Sequence, residues 1–528
     1  MAFRDARWPP FDHPRGTVTQ QPLTRGPANP SQAPPVPHVV VMGAGPAGLT
    51  AAWTLTREDI AVTVVEADDI HVGGISRTEQ YKGFRFDIGG HRFFTKSDDV
   101  RKLWHEILPE DQWLRVQRMS RIFYRGRFFD YPLKAGDALR KLGIVESVLC
   151  VLSYLRAKAF PRKQVTNFED WIVNHFGVRL YRIFFKTYTE KVWGRPCTEI
   201  SADWAAQRIK GLSLLAAIRN ALPRRAVGAD DTVIKTLIEV FEYPREGPGQ
   251  MWQYAAAQVE AAGNPVMMGT RVVEVHHADG QVTGVVTEDA HGRRRIDGSD
   301  YVATIPLGEL VTIMDPVAPA EVMTAARALE YRDYLTVVLV VDRAEVFPDN
   351  WIYIHEPDVA LGRIQNYKNW SPYMVPDQSQ TALGLEYFTT RGDQDLWEMD
   401  DEALIALGIR ESSSIGLVDA SEVRDGTVVR MPKAYPVYDE HYKANVATVR
   451  EWLDEVAGNL QTVGRNGMHK YNNQDHSMLA ALLAARNVLG EEWDPWKVNT
   501  DAEYHEEVSD GDDLAGRSIP GKVAPLRT

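Results

Sequence analysis

The sequence predicts an α/β fold: a helix-covered parallel sheet interleaved with a second domain that combines a helical insert and a mainly antiparallel sheet. Three observations carry this. The β-branched run HVVVM from His38 leads straight into Gly43, Gly45 and Gly48 and then into small and apolar residues at helical spacing. Residues 99 to 240 repeat apolar positions every three or four residues, as in FEDWIVNHFGVRLYRIFFKTYTEKVWG, with Gly177 as a break. From about Val311 to Arg450 the pattern turns to alternating strands such as YLTVVLVVD and WIYIHEP, separated by polar turns.

The first element reads as strand, tight turn, helix. Gly43 permits the turn, Gly45 lets backbone approach a pyrophosphate, and Gly48 lets the helix pack on the strand, so that the helix N-terminus meets negative charge. The next strand, AVTVVEA, ends at Glu66, 23 residues after Gly43, where a carboxylate can accept from ribose hydroxyls. Strand before, helix after and acid at this distance together predict a Rossmann-like dinucleotide site.

Composition bounds the rest. The 528-residue chain is 44% hydrophobic, enough for two intertwined domains. Only Cys150 and Cys197 occur, without a CxxC pair or HExxH, so no disulfide framework or cysteine-rich metal site is expected; the cytoplasm is the expected compartment. Residues 1–37, rich in Pro, Gln, Arg and Thr, read as a disordered leader without a signal-peptide core. No run approaches the roughly 20 apolar residues of a spanning helix. The net charge of -13 is concentrated in the tail 491–528, where ten acidic residues against Lys497 supply -9 between Glu491 and Asp513; this tail reads as disordered. Between Trp113 and Lys163, twelve Lys or Arg face three acids, a local +9, including Arg121 and Arg127. That segment reads either as a solvated helical face or as a site for a phosphorylated substrate or an anionic membrane surface, with nucleic acid a poorer choice.

At EADDIHVGGISRTE the chain resembles FAD-dependent amine oxidases, desaturases and UDP-galactopyranose mutases, in which an acid is followed by a glycine pair, here Gly73 and Gly74 with Arg77 just beyond. GFRFDIGGHRFFT is similar to the mutase stretch that runs along the flavin ring, which implies ring contacts from Gly90 and His91; Phe94 stands where the mutases have a second histidine. GRNGMHKYNNQDHSMLAALLAARN resembles the closing mutase motif, an arginine-bearing glycine turn and an aromatic pair before a helix that starts near an Asp. It implies cofactor contacts from Gly464, Arg465, Asp475, His476, Ser477 and Met478, with Arg465 facing the pyrophosphate or ribityl chain and the helix start stabilising a reduced, anionic flavin. Asn472 and Asn473 suit the N-cap. His469 and His476 depart from the mutase tyrosine and glutamine.

Three further segments extend the resemblance. YTEKVWGRPCTEISADW places Lys191 and Trp193 at the substrate cleft. FEYPREGPGQMWQYAAAQVEAAGNPVMMGTRVVEVHH places Val273 on the adenine. VVRMPKAYPVYDEHY offers Arg430 and Tyr435 to a diphosphate, with Tyr471 as a further substrate contact. The implied organisation is a discontinuous FAD-binding domain of the GR2 type (38–98, 243–310 and 455–490), a helical insert (99–242) and an antiparallel substrate sheet (311–454). The implied activity is flavin chemistry on a nucleotide-linked or phosphate-bearing sugar, with His91, Arg430 and Tyr435 beside the reacting centre and NAD(P)H as a candidate reductant. The alternative is an oxidoreductase acting on an amine or an isoprenoid.

Overall fold

The computed structural model describes residues 37–131, 133, 135–202, 240–392 and 396–499. The predicted leader up to residue 36, the tail beyond residue 499 and residues 203–239 of the predicted insert lie outside the described residues.

A five-stranded parallel sheet forms the base, in the order Leu460–Thr462, Asp300–Ala303, His38–Met42, Ala61–Val65, Val266–Met267. Its strands are buried on both faces, which is why they read as continuous apolar runs instead of alternating ones. Val39, Val41, Val62 and Val64 pack against the helices Pro46–Arg57, Gly249–Ala261 and Gln474–Val488. On the other face, Val40, Met42, Tyr301 and Ala303 pack against Leu307–Thr312, Ala320–Arg327 and Tyr442–Val456. The helix Ala320–Arg327 and all but the last two residues of Tyr442–Val456 fall in the range 311–454 expected for the substrate sheet, yet they cover the parallel sheet; amphipathic helices join whichever apolar face is exposed.

The second large sheet has seven strands, in the order Val423–Pro436, Tyr331–Val341, Thr381–Thr389, Arg363–Asn366, Trp351–Ile354, Ser120–Tyr124, Arg127–Asp130. All its pairings are antiparallel except that of Trp351–Ile354 with Ser120–Tyr124. Along the strand Tyr331–Val341 the faces alternate: Leu335, Val337 and Leu339 meet the helix Asp401–Ser414, while Tyr334 turns to the opposite face with Ile88, Trp193 and Tyr435.

The edge strands add a hairpin to the insert expected to be mainly helical. Ser120–Tyr124 and Arg127–Asp130 form a two-residue hairpin whose turn residues, Arg125 and Gly126, both have positive φ, and Ile122, Phe123 and Phe129 are buried. The segment's basic side chains mark the outward face of a hairpin as well as a helical surface. The insert proper contains Ile144–Ala159, Phe168–Tyr181 and Thr187–Trp193. Gly177 interrupts the second of these at φ +82°, where a Cβ would lie 2.7 Å from the Tyr154 nitrogen, so the break predicted there is also where two helices touch.

Candidate active site

Two segments 419 residues apart, around Gly45 and Gly464, meet at the N-terminus of the helix Pro46–Arg57. The Gly43 nitrogen donates to the Val65 carbonyl at 2.8 Å and the Gly73 nitrogen to that of Ala44 at 2.8 Å. The Glu66 carboxylate accepts from Ala44 N at 2.6 Å and from Asp68 N at 2.9 Å, which holds it against the turn. The turn Gly464–Gly467 closes the other side: a Cβ on Gly464 would lie 3.0 Å from that of Ala47. A Cβ on Gly74 would lie 3.4 Å from the Gly45 Cα, while a Cβ on Gly45 itself would meet nothing within 4 Å. Backbone N–H groups at a helix start, an acid at the end of the second strand and an open glycine face make a cradle that fits a pyrophosphate with its ribose.

The predicted helix start is present. The helix Gln474–Val488 is capped by Asn473, with His476 completing a capping box: the Asn473 nitrogen donates to His476 Nδ1 at 3.3 Å. Asp475, Ser477 and Met478 are buried in the first turn. Gln474 reaches the carbonyl of Arg92 at 3.4 Å, which brings this helix start to the His91 segment. His91 donates through Nδ1 to the Gly89 carbonyl at 3.1 Å, and Gly90 sits 3.1 Å from the Trp370 ring as measured from its would-be Cβ. Burial, together with Arg465 and Arg363, pushes the His91 imidazole down to about 3, so the ring is neutral.

Above this base stands an aromatic wall. The Tyr435 and Tyr471 rings stack at 5.5 Å and 19°, Tyr334 meets Tyr435 edge-on at 6.2 Å, and Trp193 lies 6.4 Å from Tyr471. The Arg465 guanidinium lies 5.4 and 5.2 Å from the Tyr435 and Tyr471 ring centres and donates to the Asn472 and Ala434 carbonyls at 2.9 and 3.0 Å. It therefore faces the tyrosines, from a turn that also borders the cradle at Ala47. Arg363 donates to the Tyr435 hydroxyl at 3.3 Å and forms an ion pair with the fully buried Glu386, which Gln365 also bonds. Among the described residues, the buried Tyr334 hydroxyl, Gln365 Oε1 and Gln474 Oε1 have no hydrogen-bond partner. Such atoms near His91 fit the polar edge of a flavin ring better than an apolar filling.

Four predicted site residues stand elsewhere or are otherwise engaged. Arg430 is paired with Leu335 in the sheet and so points to the opposite face from Tyr435; it bonds the Trp397 and Met399 carbonyls and Asp401. It is not in the site. Lys191 is also corrected: its ammonium caps the carbonyls of Ile354, Glu356 and Leu361, and burial pushes it down to about 8. Arg77 pairs with Glu79 at 2.6 Å and Asp68 at 3.4 Å beside the cradle. Val273 is the extra residue of a bulge between Val272 and Glu274, three residues from Thr270, whose nitrogen donates to the Glu66 carbonyl.

Arg363, Glu386, Gln365 and Tyr334 are the site residues that sequence reasoning missed. A signal existed: Glu386 is the lone charge in the apolar strand TALGLEYFT, and a buried acid requires a partner on a neighbouring strand.

Two more buried histidines lie in these walls. Burial and the charge of Lys191 push His355 down to about 3, and burial pushes His469 down to about 4. In the unfolded chain all three histidines titrate near 6.5. Their contribution to stability is therefore complete above about pH 6.5 and is lost as pH falls towards the folded values, because unfolding then takes up protons. The urea midpoint is expected to drop between pH 7 and pH 5, and the drop should be shallower in His355→Gln/His469→Gln. An equally steep drop in that variant would move the acid sensitivity to other groups.

A family model described as flavin containing amine oxidoreductase matches residues 46–456. A crystal structure of reduced UDP-galactopyranose mutase superposes with a TM-score of 0.74 at 22% identity, covering 88% of this chain and 100% of that one, a likeness of fold. Among curated proteins, a phytoene dehydrogenase of Streptomyces griseus is 26% identical over 279 residues (49% of this chain, 52% of its own), and a dTDP-fucopyranose mutase of Escherichia coli is 24% identical over 172 residues (31% and 44%). The chain thus spans about half, or less, of the length of these curated relatives. Among the described residues no helix is long and apolar enough to cross a membrane.

Proposed function

Because the chain belongs to the flavin-containing amine oxidoreductase family and is an FAD-dependent enzyme, we propose that it rearranges a phosphate-bearing, nucleotide-linked sugar without net oxidation. The observation that carries this reading is the sign of the charge in the site. Arg363 and Arg465 flank the tyrosine pair, Glu386 pairs with Arg363, Asp475 lies apart at the start of the Gln474 helix, and His91 is neutral, so the Arg465 guanidinium leaves a positive charge beside the tyrosines. A protonated amine is repelled there, whereas a diphosphate is attracted. An isoprenoid hydrocarbon finds guanidinium, phenol and amide groups where it needs an apolar lining.

FAD when bound and reduced supplies an electron-rich ring that can act on the sugar. The protein supplies position and charge. Arg363 and the Tyr435 and Tyr471 hydroxyls are suited to phosphoryl oxygens, and Trp193 offers a flat apolar surface beside them. His91, held by the Gly89 carbonyl, presents its unprotonated Nε2 as an acceptor. The start of the Gln474 helix stabilises negative charge on a reduced ring.

The test is to incubate the dithionite-reduced enzyme with UDP-hexoses and separate the sugar nucleotides. Ring-form isomers that accumulate only with reduced enzyme, without consumption of reductant, support the mutase reading. Peroxide release from an amine, with no isomer formed, overturns it. NADH or NADPH in place of dithionite tests whether a nicotinamide is the reductant.

A further inference from the structure

The helix Ile144–Ala159 buries only one side. Cys150, Tyr154 and Ala157 pack inward, while the opposite arc carries Ile144, Val145, Val148, Leu152 and Leu155, continued by Phe160. These are strongly exposed: 85% for Ile144, 75% for Val145 and 77% for Phe160. Of the fifteen exposed large apolar side chains among the described residues, seven fall between Ile144 and Phe160. Spacing of three and four residues places them in one continuous stripe, and isolated exposed apolar residues do not cluster in this way.

The fringe of the stripe is basic. Between Arg140 and Lys163 there are six Lys or Arg and one acid, Glu146, which Arg179 bonds at 2.7 Å; of the six, Lys141 pairs with Asp137, and Arg162 with Glu169 and Asp170. Arg156 and Lys158 are exposed at the edges of the stripe, and the Arg140 side chain is 79% exposed. An apolar stripe bordered by cations is the pattern of a helix lying in the headgroup region of a bilayer. The same fringe argues against a second copy of the chain on this face, since a two-fold contact would set like charges against each other.

We propose that this helix is a peripheral docking surface for an anionic lipid bilayer, with the apolar stripe inserted below the headgroups and Arg156 and Lys158 at the phosphate level. The surface is independent of the substrate assigned above.

Full-length, FAD-loaded protein should cosediment with vesicles of phosphatidylcholine mixed with phosphatidylglycerol, and much less with phosphatidylcholine alone. Leu152→Asp/Leu155→Asp should weaken that binding by roughly tenfold or more, since two apolar side chains leave the bilayer. Arg156→Glu/Lys158→Glu should weaken it and flatten its dependence on salt. Flavin content and thermal midpoint should match wild type in both variants, because the four side chains are exposed. Absence of binding to anionic vesicles overturns the proposal, as does binding that Leu152→Asp/Leu155→Asp leaves unchanged. A dimer that the same pair dissolves, without any vesicle binding, would assign the face to a second copy and also overturn it.

Discussion

Replacing Arg363 with methionine is expected to lower the free energy of unfolding by about 3–5 kcal/mol, the cost of leaving a buried charge without its partner. Glu386 is fully buried in the middle of the seven-stranded sheet, and its carboxylate is held by the Arg363 guanidinium on one side and the Gln365 amide on the other. Methionine fills much of the volume and supplies no charge. The loss should therefore be electrostatic, and Arg363→Met/Glu386→Gln should recover most of it. Urea unfolding of the single and double variants measures this directly. A loss below about 1 kcal/mol in the single variant would mean the pair behaves as an exposed one.

The double variant then isolates binding from folding. With the sheet intact and FAD retained, its affinity for UDP should fall by the value of one charged hydrogen-bond partner, about 1.5–3 kcal/mol, or roughly 10- to 150-fold in Kd. Arg430→Ala should leave that affinity unchanged, because Arg430 bonds Asp401 and two carbonyls on the far face of the sheet. The reverse pattern would return the diphosphate to Arg430 and remove the charge argument for the substrate.

These two arginines show where the sequence was legible and where it was not. The cofactor motifs could be read because their requirements are local: positive φ at Gly43 and Gly73, a cap at Asn473, and small residues at Ala480, Ala481, Ala484 and Ala485 are each settled within a few positions. The substrate wall depends on register instead. Arg430 and Tyr435 are five residues apart on one strand, an odd spacing that puts them on opposite faces. The irregularity opposite Arg332 and Tyr334 inserts two extra residues and preserves that parity. Attention to period two would have excluded Arg430. Finding Arg363 required the pairing of its strand with that of Glu386, which joins residues 23 apart in sequence and is not encoded in either segment alone. Lys191 shows a different limit: three carbonyls from the turn after Ile354 converge on its ammonium, and nothing near position 191 announces them.

Alanine at Gly45 and at Gly48, three residues apart, is expected to abolish tight FAD binding in both cases by different physical routes. At Gly48 a Cβ would lie 1.8 Å from the Gly43 carbonyl oxygen, and that oxygen is backbone held in the turn. The helix Pro46–Arg57 must move off the strand His38–Met42, opening the core that contains Val41 and Leu49. Gly48→Ala should therefore lower the thermal midpoint of the apoprotein and yield colourless protein. At Gly45 the backbone, at φ -76° and ψ -176°, suits any residue, and an added methyl meets no protein atom within 4 Å. The apoprotein should be as stable as wild type or up to about 1 kcal/mol more stable, because alanine restricts the unfolded chain. The same methyl lies where the cradle opens to the pyrophosphate, so FAD affinity should fall by about 100-fold or more, equivalent to about 2.7 kcal/mol. Thermal unfolding of the apoproteins, paired with titration by flavin fluorescence, separates the two routes. Wild-type FAD affinity in Gly45→Ala would show that the cofactor's phosphates do not lie against this turn, and the assignment of the cradle would fail with it.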